Sequence, residues 1–389
     1  MRRPNPIWLG LGVVGWSGLI WLAVMMFNDA PRTAAFDLEL LLEAGRAVAF
    51  GQSPYDPSLI GGTTPGATDL FYSYPPPVAQ VMSLVAAIPS GAMFATLWIA
   101  AIAGLLVSTR LIEGRLIVPT VALAPLYLPF AIALLFGNLD ALFTLAYGLV
   151  LVAALSTERP PRLAGGVALA LATVAKVHPG GMGLWFVGRA IRERLDRQPP
   201  RAALVVVAAV ATGLAVLAVS LVAGGVDLWR DYLPVAGAAS GARLLDARNA
   251  GPAAQVALAF GGDEALVRSL HIVVAAAALV ATLGAALAVR DSLTSLAVAA
   301  VASLVVLPVT WYHYPVALIP FAVAAVARSR GTAAATPTLG LVAAALIVAT
   351  LAIAWLPVLW IALGLGLAAV ARSAPGGTDA DTAVAVEPA

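Results

Sequence analysis

The chain contains no cysteine, a single lysine (Lys176) and three histidines (His178, His271 and His313) in 389 residues. Without cysteine there are no disulfides, no thiol nucleophile and no Cys-ligated metal or cluster. Three histidines leave no room for a His-rich metal centre. Charge is scarce too: 11% of residues are Asp, Glu, Lys or Arg, against about 25% in a soluble domain. There is no Walker A, no GxGxxG opening a helix after a strand and no HExxH, and a DxD pattern occurs only near the end, at Asp379-Ala380-Asp381. Nucleotide-driven chemistry and metal hydrolysis therefore lack support. What is abundant is hydrophobic: 61% of the residues, with 35 glycines besides and a mean hydropathy of +0.95. No water-exposed surface can be built from this composition, which excludes a soluble enzyme, a nucleic-acid binder and a disordered scaffold. It specifies an all-α polytopic membrane protein.

Ile7–Phe27 is an uncharged run of 21 residues behind Arg2 and Arg3. It is longer than the apolar core of a secretory signal and ends in bulky residues, so it is expected to stay as a first span of about 30 Å. Further spans are expected at 91–109, 116–136, 139–156, 163–178, 180–188, 202–224, 266–289, 293–309, 314–327, 336–354 and 356–371, for ten to twelve helices in all. The run 180–188 is too short to cross alone and is read as half of a broken helix. With the N-terminus in the cytoplasm, alternation places fifteen of the 22 basic residues inside, provided that Pro75–Ser90 does not cross. The expected organisation is one transmembrane domain over 1–372, with outer loops at 28–90 and 225–265, and a disordered cytoplasmic tail over 373–389. In the first loop, Phe36–Phe50 reads as an interfacial amphipathic helix ended by Gly51. Leu40, Ala44, Ala47 and Val48 share its apolar face, opposite Glu39, Glu43 and Arg46.

Against this background a few polar residues stand out. Asp37 lies ten residues past the first span, where it either favours the helix N-terminus or faces a lipid-linked substrate. Lys176 ends an apolar run, two residues from His178. The pair would suit a phosphate or pyrophosphate leaving group; snorkelling is the alternative for a lysine at a span end. His313 sits among Trp311, Tyr312 and Tyr314, aromatics that an interfacial belt would explain but a histidine would not. Asp140 reads as the N-cap of 139–156, with a substrate role second, and His271 as structural. Tyr74 belongs to a rigid aromatic-proline lead-in, Phe71–Pro77. In the second loop Trp229, Tyr232, Arg243, Arg248 and Asn249 could hold a sugar or a headgroup.

The order of short motifs is informative: Asp37, Gly51-Gln52-Ser53-Pro54-Tyr55, Tyr74-Pro75-Pro76, Gly137-Asn138, Lys176-Val177-His178-Pro179 and Trp311-Tyr312-His313. This series resembles glycosyltransferase family 87, membrane mannosyltransferases of the GT-C fold that use polyprenyl-phosphate-mannose. Asn138 replaces the family's usual glutamine, and the family's loop asparagine-serine is Asn249-Ala250 here. The resemblance implies an inverting transfer of a sugar, mannose by analogy, on the outer face of the cytoplasmic membrane, to a lipid or glycan acceptor. Asp37 would be the general base, and Lys176, His178 and His313 would hold the donor phosphate. Tyr74, Asn138, Asp140, Arg243, Arg248, Asn249, Trp311 and Tyr312 complete the expected substrate contacts, with no cofactor, metal or nucleic acid. The rival class is a transporter or flippase of a lipid-linked sugar; a scaffold that has lost activity is a third.

The sidedness is directly testable, because a chain without cysteine gives no background. Ser53→Cys and Gly241→Cys are expected to react with an impermeant thiol reagent from outside, and Gln198→Cys is not. Labelling of Gln198→Cys from outside would invert the topology.

Overall fold

A computed structural model describes residues 5–29, 34–63, 71–332 and 335–341. The tail 373–389, the span expected at 356–371 and most of that at 336–354 lie outside the described residues. Among the described residues there is no strand. The helices are α1 (Pro6–Asp29), α2 (Phe36–Ala49), α3 (Pro57–Ile60), α4 (Pro76–Ser83), α5 (Ser90–Glu113), α6 (Ile117–Leu123), α7 (Leu128–Leu135) and α8 (Phe143–Leu155). They continue with α9 (Arg159–Ala175), α10 (Gly181–Leu195), α11 (Arg201–Gly241), α12 (Pro252–Ala259), α13 (Glu264–Ala288), α14 (Ser292–Val305) and α15 (Ile319–Ser329). Among the described residues four stretches are long and apolar enough to cross a membrane: Pro6–Asn28, Ser90–Leu126, Arg201–Gly241 and Glu264–Ala288.

The main core lies between α5, α7 to α10, α14 and α15, around the buried side chains of Phe130, Tyr147, Trp185 and Phe186. The run 116–136, expected as one span, is broken by a 3-10 turn at Ala124–Leu126 into α6 and α7. Pro125 is the cause. It has no N–H to offer the Val121 carbonyl one turn back. The Trp16 indole of α1 donates to that carbonyl instead, at 3.0 Å. At 180–188 the chain leaves a 3-10 turn at His178–Gly180 and continues as α10 to Leu195.

The segment expected as a second loop, 225–265, is largely helical. α11 runs to Gly241 with one break at Gly225 (φ +73°, ψ 177°), a conformation that only glycine takes up readily. Gln80 of α4 donates to the Ser220 carbonyl beside that break at 2.9 Å.

α2 does lie outside the long helices, but it is rotated from the expected setting. Its buried residues are Leu38, Leu41, Leu42, Ala44 and Gly45. They pack on Tyr55, Tyr72, Ala79, Met82 and Phe94. Ala44 is common to the two sets; Leu40, Ala47 and Val48 stay partly exposed. The reason is the partner: α2 is covered by α4 and the connecting loop, so protein fixes its rotation.

Basic residues gather at one end of the bundle. Arg189 and Arg192 donate to the carbonyls of Val289 and Leu287 at the end of α13, at 2.9 and 2.7 Å. Arg328 pairs with Asp291. α9 runs from Arg159 near that end to Lys176 at the other, about 25 Å at 1.5 Å per residue.

Gly45 lets α2 and α4 touch: a Cβ there would sit 2.6 Å from the Met82 carbonyl carbon. Gly45→Ala is therefore expected to lower stability by about 1–3 kcal/mol, read as an earlier melting transition in detergent. An unchanged melt would show that the two helices are not in contact at this point.

Candidate active site

The site forms where α7 ends. There the chain turns over through Phe136-Gly137-Asn138, with Gly137 at φ +66°. A side chain at 137 would also collide with Leu38, whose Cβ would lie 2.7 Å away. The closeness has a purpose. The carbonyls of Leu135 and Phe136 accept the N–H groups of Ala35 and Asp37 at 2.9 and 3.0 Å. The open start of α2, which has no side-chain cap, is thus satisfied by the open end of α7. Asp37 is left with no capping task. Its Oδ2 instead accepts from the Asn138 amide at 2.5 Å.

Asn138 also begins the next turn. Its Oδ1 accepts the Asp140 N–H at 2.9 Å, so the N-cap of the 3-10 turn Leu139–Leu142 is Asn138 and not Asp140, as the sequence suggested. Asp140 is fully buried and does something else. Its Oδ2 accepts from the Lys176 ammonium at 2.8 Å. His313 Nε2 stands 3.1 Å from the same oxygen, off the line that a hydrogen bond needs. Lys176 donates further to Asn138 Oδ1 at 3.2 Å and lies over the Tyr314 and Tyr74 rings, 4.6 and 5.8 Å from their centroids. The sole lysine therefore does not snorkel. It is turned inward by a carboxylate, an amide oxygen and two aromatic faces.

Asp37, Asn138, Asp140, Lys176, His313 and Tyr74 thus share one cluster, drawn from five separate stretches of chain. Tyr314, which the sequence offered only as one more belt aromatic, joins them. Asp37 is half-buried and keeps an opening to the surface. Burial raises its carboxyl above the ordinary value, 3.8, while His313, the Asn138 hydrogen bond and Lys176 pull the other way. A carboxylate so placed can take a proton, and an ammonium beside it can steady an anion.

His178, expected beside Lys176, is fully buried and stacked on Tyr314 at 4.8 Å, with the Tyr147 hydroxyl 3.3 Å from Nδ1. A second group forms around Trp311, with the Arg243 and Arg248 guanidiniums 5.8 and 5.9 Å from its ring. Arg248 grips Asp246 through Nε and Nη2, at 2.9 and 2.6 Å, and this holds the Asp246 carboxyl below the usual range. Asp246 was not expected; its place two residues before Arg248, in an Asx turn, was the available signal. Asn249 is buried and donates to the carbonyls of Leu244 and Pro308, while its Oδ1 accepts from Gly251 and Thr310 N–H. Its amide ties the loop to the segment before Trp311. Tyr312 is half-buried beside it, and His271 lies on α13, apart from both groups. Among the described residues no three His, Asp or Glu side chains are grouped to hold a metal ion.

Compared with known proteins, residues 72–310, more than half of the chain, match a family model described as Glycosyltransferase family 87. No curated protein and no solved structure matches the chain.

The Lys176–Asp140 pair can be tested by stability. Removing one partner of a buried pair strands the other charge and costs about 3–5 kcal/mol. Lys176→Met or Asp140→Leu alone is expected to melt far earlier than the parent, and the double variant to recover most of the loss. Small, additive effects would mean that the two side chains are not paired.

Proposed function

The chain belongs to glycosyltransferase family 87, hence is a membrane glycosyltransferase, and we propose that it moves a sugar, mannose above all, from a polyprenyl-phosphate donor to a lipid or glycan acceptor. The observation that carries this reading is a half-buried carboxylate, Asp37, set within the same cluster as the protein's only lysine. Asp37 takes the proton from the acceptor hydroxyl. The hydroxyl oxygen attacks the anomeric carbon from the face opposite the phosphate, the bond from that carbon to the phosphate oxygen breaks, and its electron pair leaves with the polyprenyl phosphate. Configuration is inverted in this GT-C-type displacement.

Lys176 and His313 take the phosphate's charge, which exists in the ground state and grows as the bond breaks. His178 contributes by packing, since its ring supports Tyr314 beneath the ammonium. Tyr74 walls the same space, and the Arg243–Trp311–Arg248 group with Tyr312 receives the acceptor. Asn249 shapes that loop, while Asp140 fixes the lysine. The site lies at the end of the bundle away from Arg189, Arg192 and Arg328, which supports an outer-face site in the cytoplasmic membrane with the N-terminus inside.

Membranes given labelled polyprenyl-phosphate-mannose are expected to pass label into a glycolipid or glycan. A carrier would move the label across the bilayer with the sugar-phosphate bond intact. Asp37→Asn is expected to lose about 10²–10⁴ in turnover with donor binding kept, because the amide cannot accept the proton. Lys176→Ala weakens donor binding as well. Since burial raises the Asp37 pKa, transfer by the parent falls as pH drops through a value above 3.8, where the base becomes protonated. Near-normal transfer by Asp37→Asn would place the base elsewhere.

A further inference from the structure

Asn138 touches both halves of the cluster. Its amide has one orientation open to it. Oδ1 receives the Asp140 N–H at 2.9 Å and the Lys176 ammonium at 3.2 Å, so the NH₂ group must face Asp37. A flipped amide would set its own hydrogens against two donors and present an oxygen to a carboxylate. Asn138 is buried, and both lone-pair directions of Oδ1 are in use. These observations do not fit a side chain waiting for a sugar hydroxyl.

We propose that Asn138 is a positioning residue for the base: it anchors Oδ2 of Asp37, leaving Oδ1 as the oxygen that meets the acceptor. The inference rests on Asp37 being that base. Three features make the anchor firm. The bond is short and charge-assisted. The lysine on Oδ1 polarises the amide and strengthens the N–H that Asp37 receives. The backbone beneath both residues is fixed, because the Asp37 N–H is itself bonded to the Phe136 carbonyl, two residues before Asn138.

Asp37 is faced by Asn138 and Asp140 from the turn after α7, Lys176 from the end of α9, and His313 and Tyr314 from the segment before α15. Tyr74 faces it from the segment before α4. Of these, Asn138 is the one that donates a hydrogen bond to the carboxylate. Its loss should therefore weaken the ionised form of Asp37 selectively.

The experiment is the pH profile of transfer in purified protein, with Asn138→Ala, Asn138→Ser, Asn138→Gln and Asp37→Asn measured beside the parent. A hydrogen bond to a charged group accounts for about one to two pH units. In Asn138→Ala and Asn138→Ser the acidic limb is expected to move up by that amount, with donor KM little changed and kcat at high pH partly restored. Asn138→Gln, which keeps an amide, is expected to hold the limb closer to its original place. A purely structural role would lower the rate equally at every pH. If Asn138→Ala does not fold, Asn138→Ser reads the same quantity. An unmoved limb in the folded variant, with Asp37→Asn inactive, overturns the positioning role and leaves the base assignment standing. An active Asp37→Asn overturns the base assignment itself.

Discussion

Where α7 stops, its last carbonyls have run out of helical donors, and where α2 starts its first N–H groups have no acceptors. Each set satisfies the other at 2.9 and 3.0 Å. Neither helix brings a capping side chain to this junction. The arrangement is demanding, since it requires a left-handed Gly137 with no side chain and Leu38 pressed against it. Its result is that Asp37 and Asn138, 101 residues apart, come within hydrogen-bond distance with no side-chain search. A carboxylate that capped its own helix would be tied down. Backbone capping leaves this one available for chemistry.

The second constraint is charge in a poor solvent. Asp37 and Asp140 bring two carboxylates, and Lys176 brings the one ammonium among them. Buried charges persist when paired and hydrogen-bonded, and Lys176 is shared between the Asp140 carboxylate and an amide oxygen that in turn orients Asp37.

The sequence made much of this legible, because a chain with so little charge makes every buried polar group conspicuous. Asp37, Lys176 and His313 could be picked out for that reason, and the motif series placed them in order. Contacts across the chain were another matter. Nothing in the sequence around Asp140 says that its partner lies 36 residues on, and an aspartate after Gly-Asn has a sufficient local explanation as a cap. The burial of α2 was missed because two stripes one residue apart both have helical spacing; Leu38-Leu41-Leu42-Gly45 prevailed since α4 covers that side. The helical content of the segment 225–265 was not legible either: after the non-helical Gly225 the chain resumes as helix, passes Pro234 and runs to Gly241. Asn249 could be singled out from its loop position, but the four hydrogen bonds that its side chain makes to Leu244, Pro308, Gly251 and Thr310 could not.

The bond between Trp16 and Val121 bears on how the molecule is made. A chain is delivered to the bilayer N-terminus first, so the indole arrives 105 residues ahead of the carbonyl that it serves. Because Pro125 follows one turn later, α6 comes in with an acceptor that its own helix cannot fill. In hydrocarbon such a vacancy costs several kcal/mol. Only one depth and one rotation of α6 against α1 relieve it. The first helix is thereby a template laid down during synthesis, against which α6 sets its register before the later segments that bring Asn138, Lys176 and His313 to the site have been made.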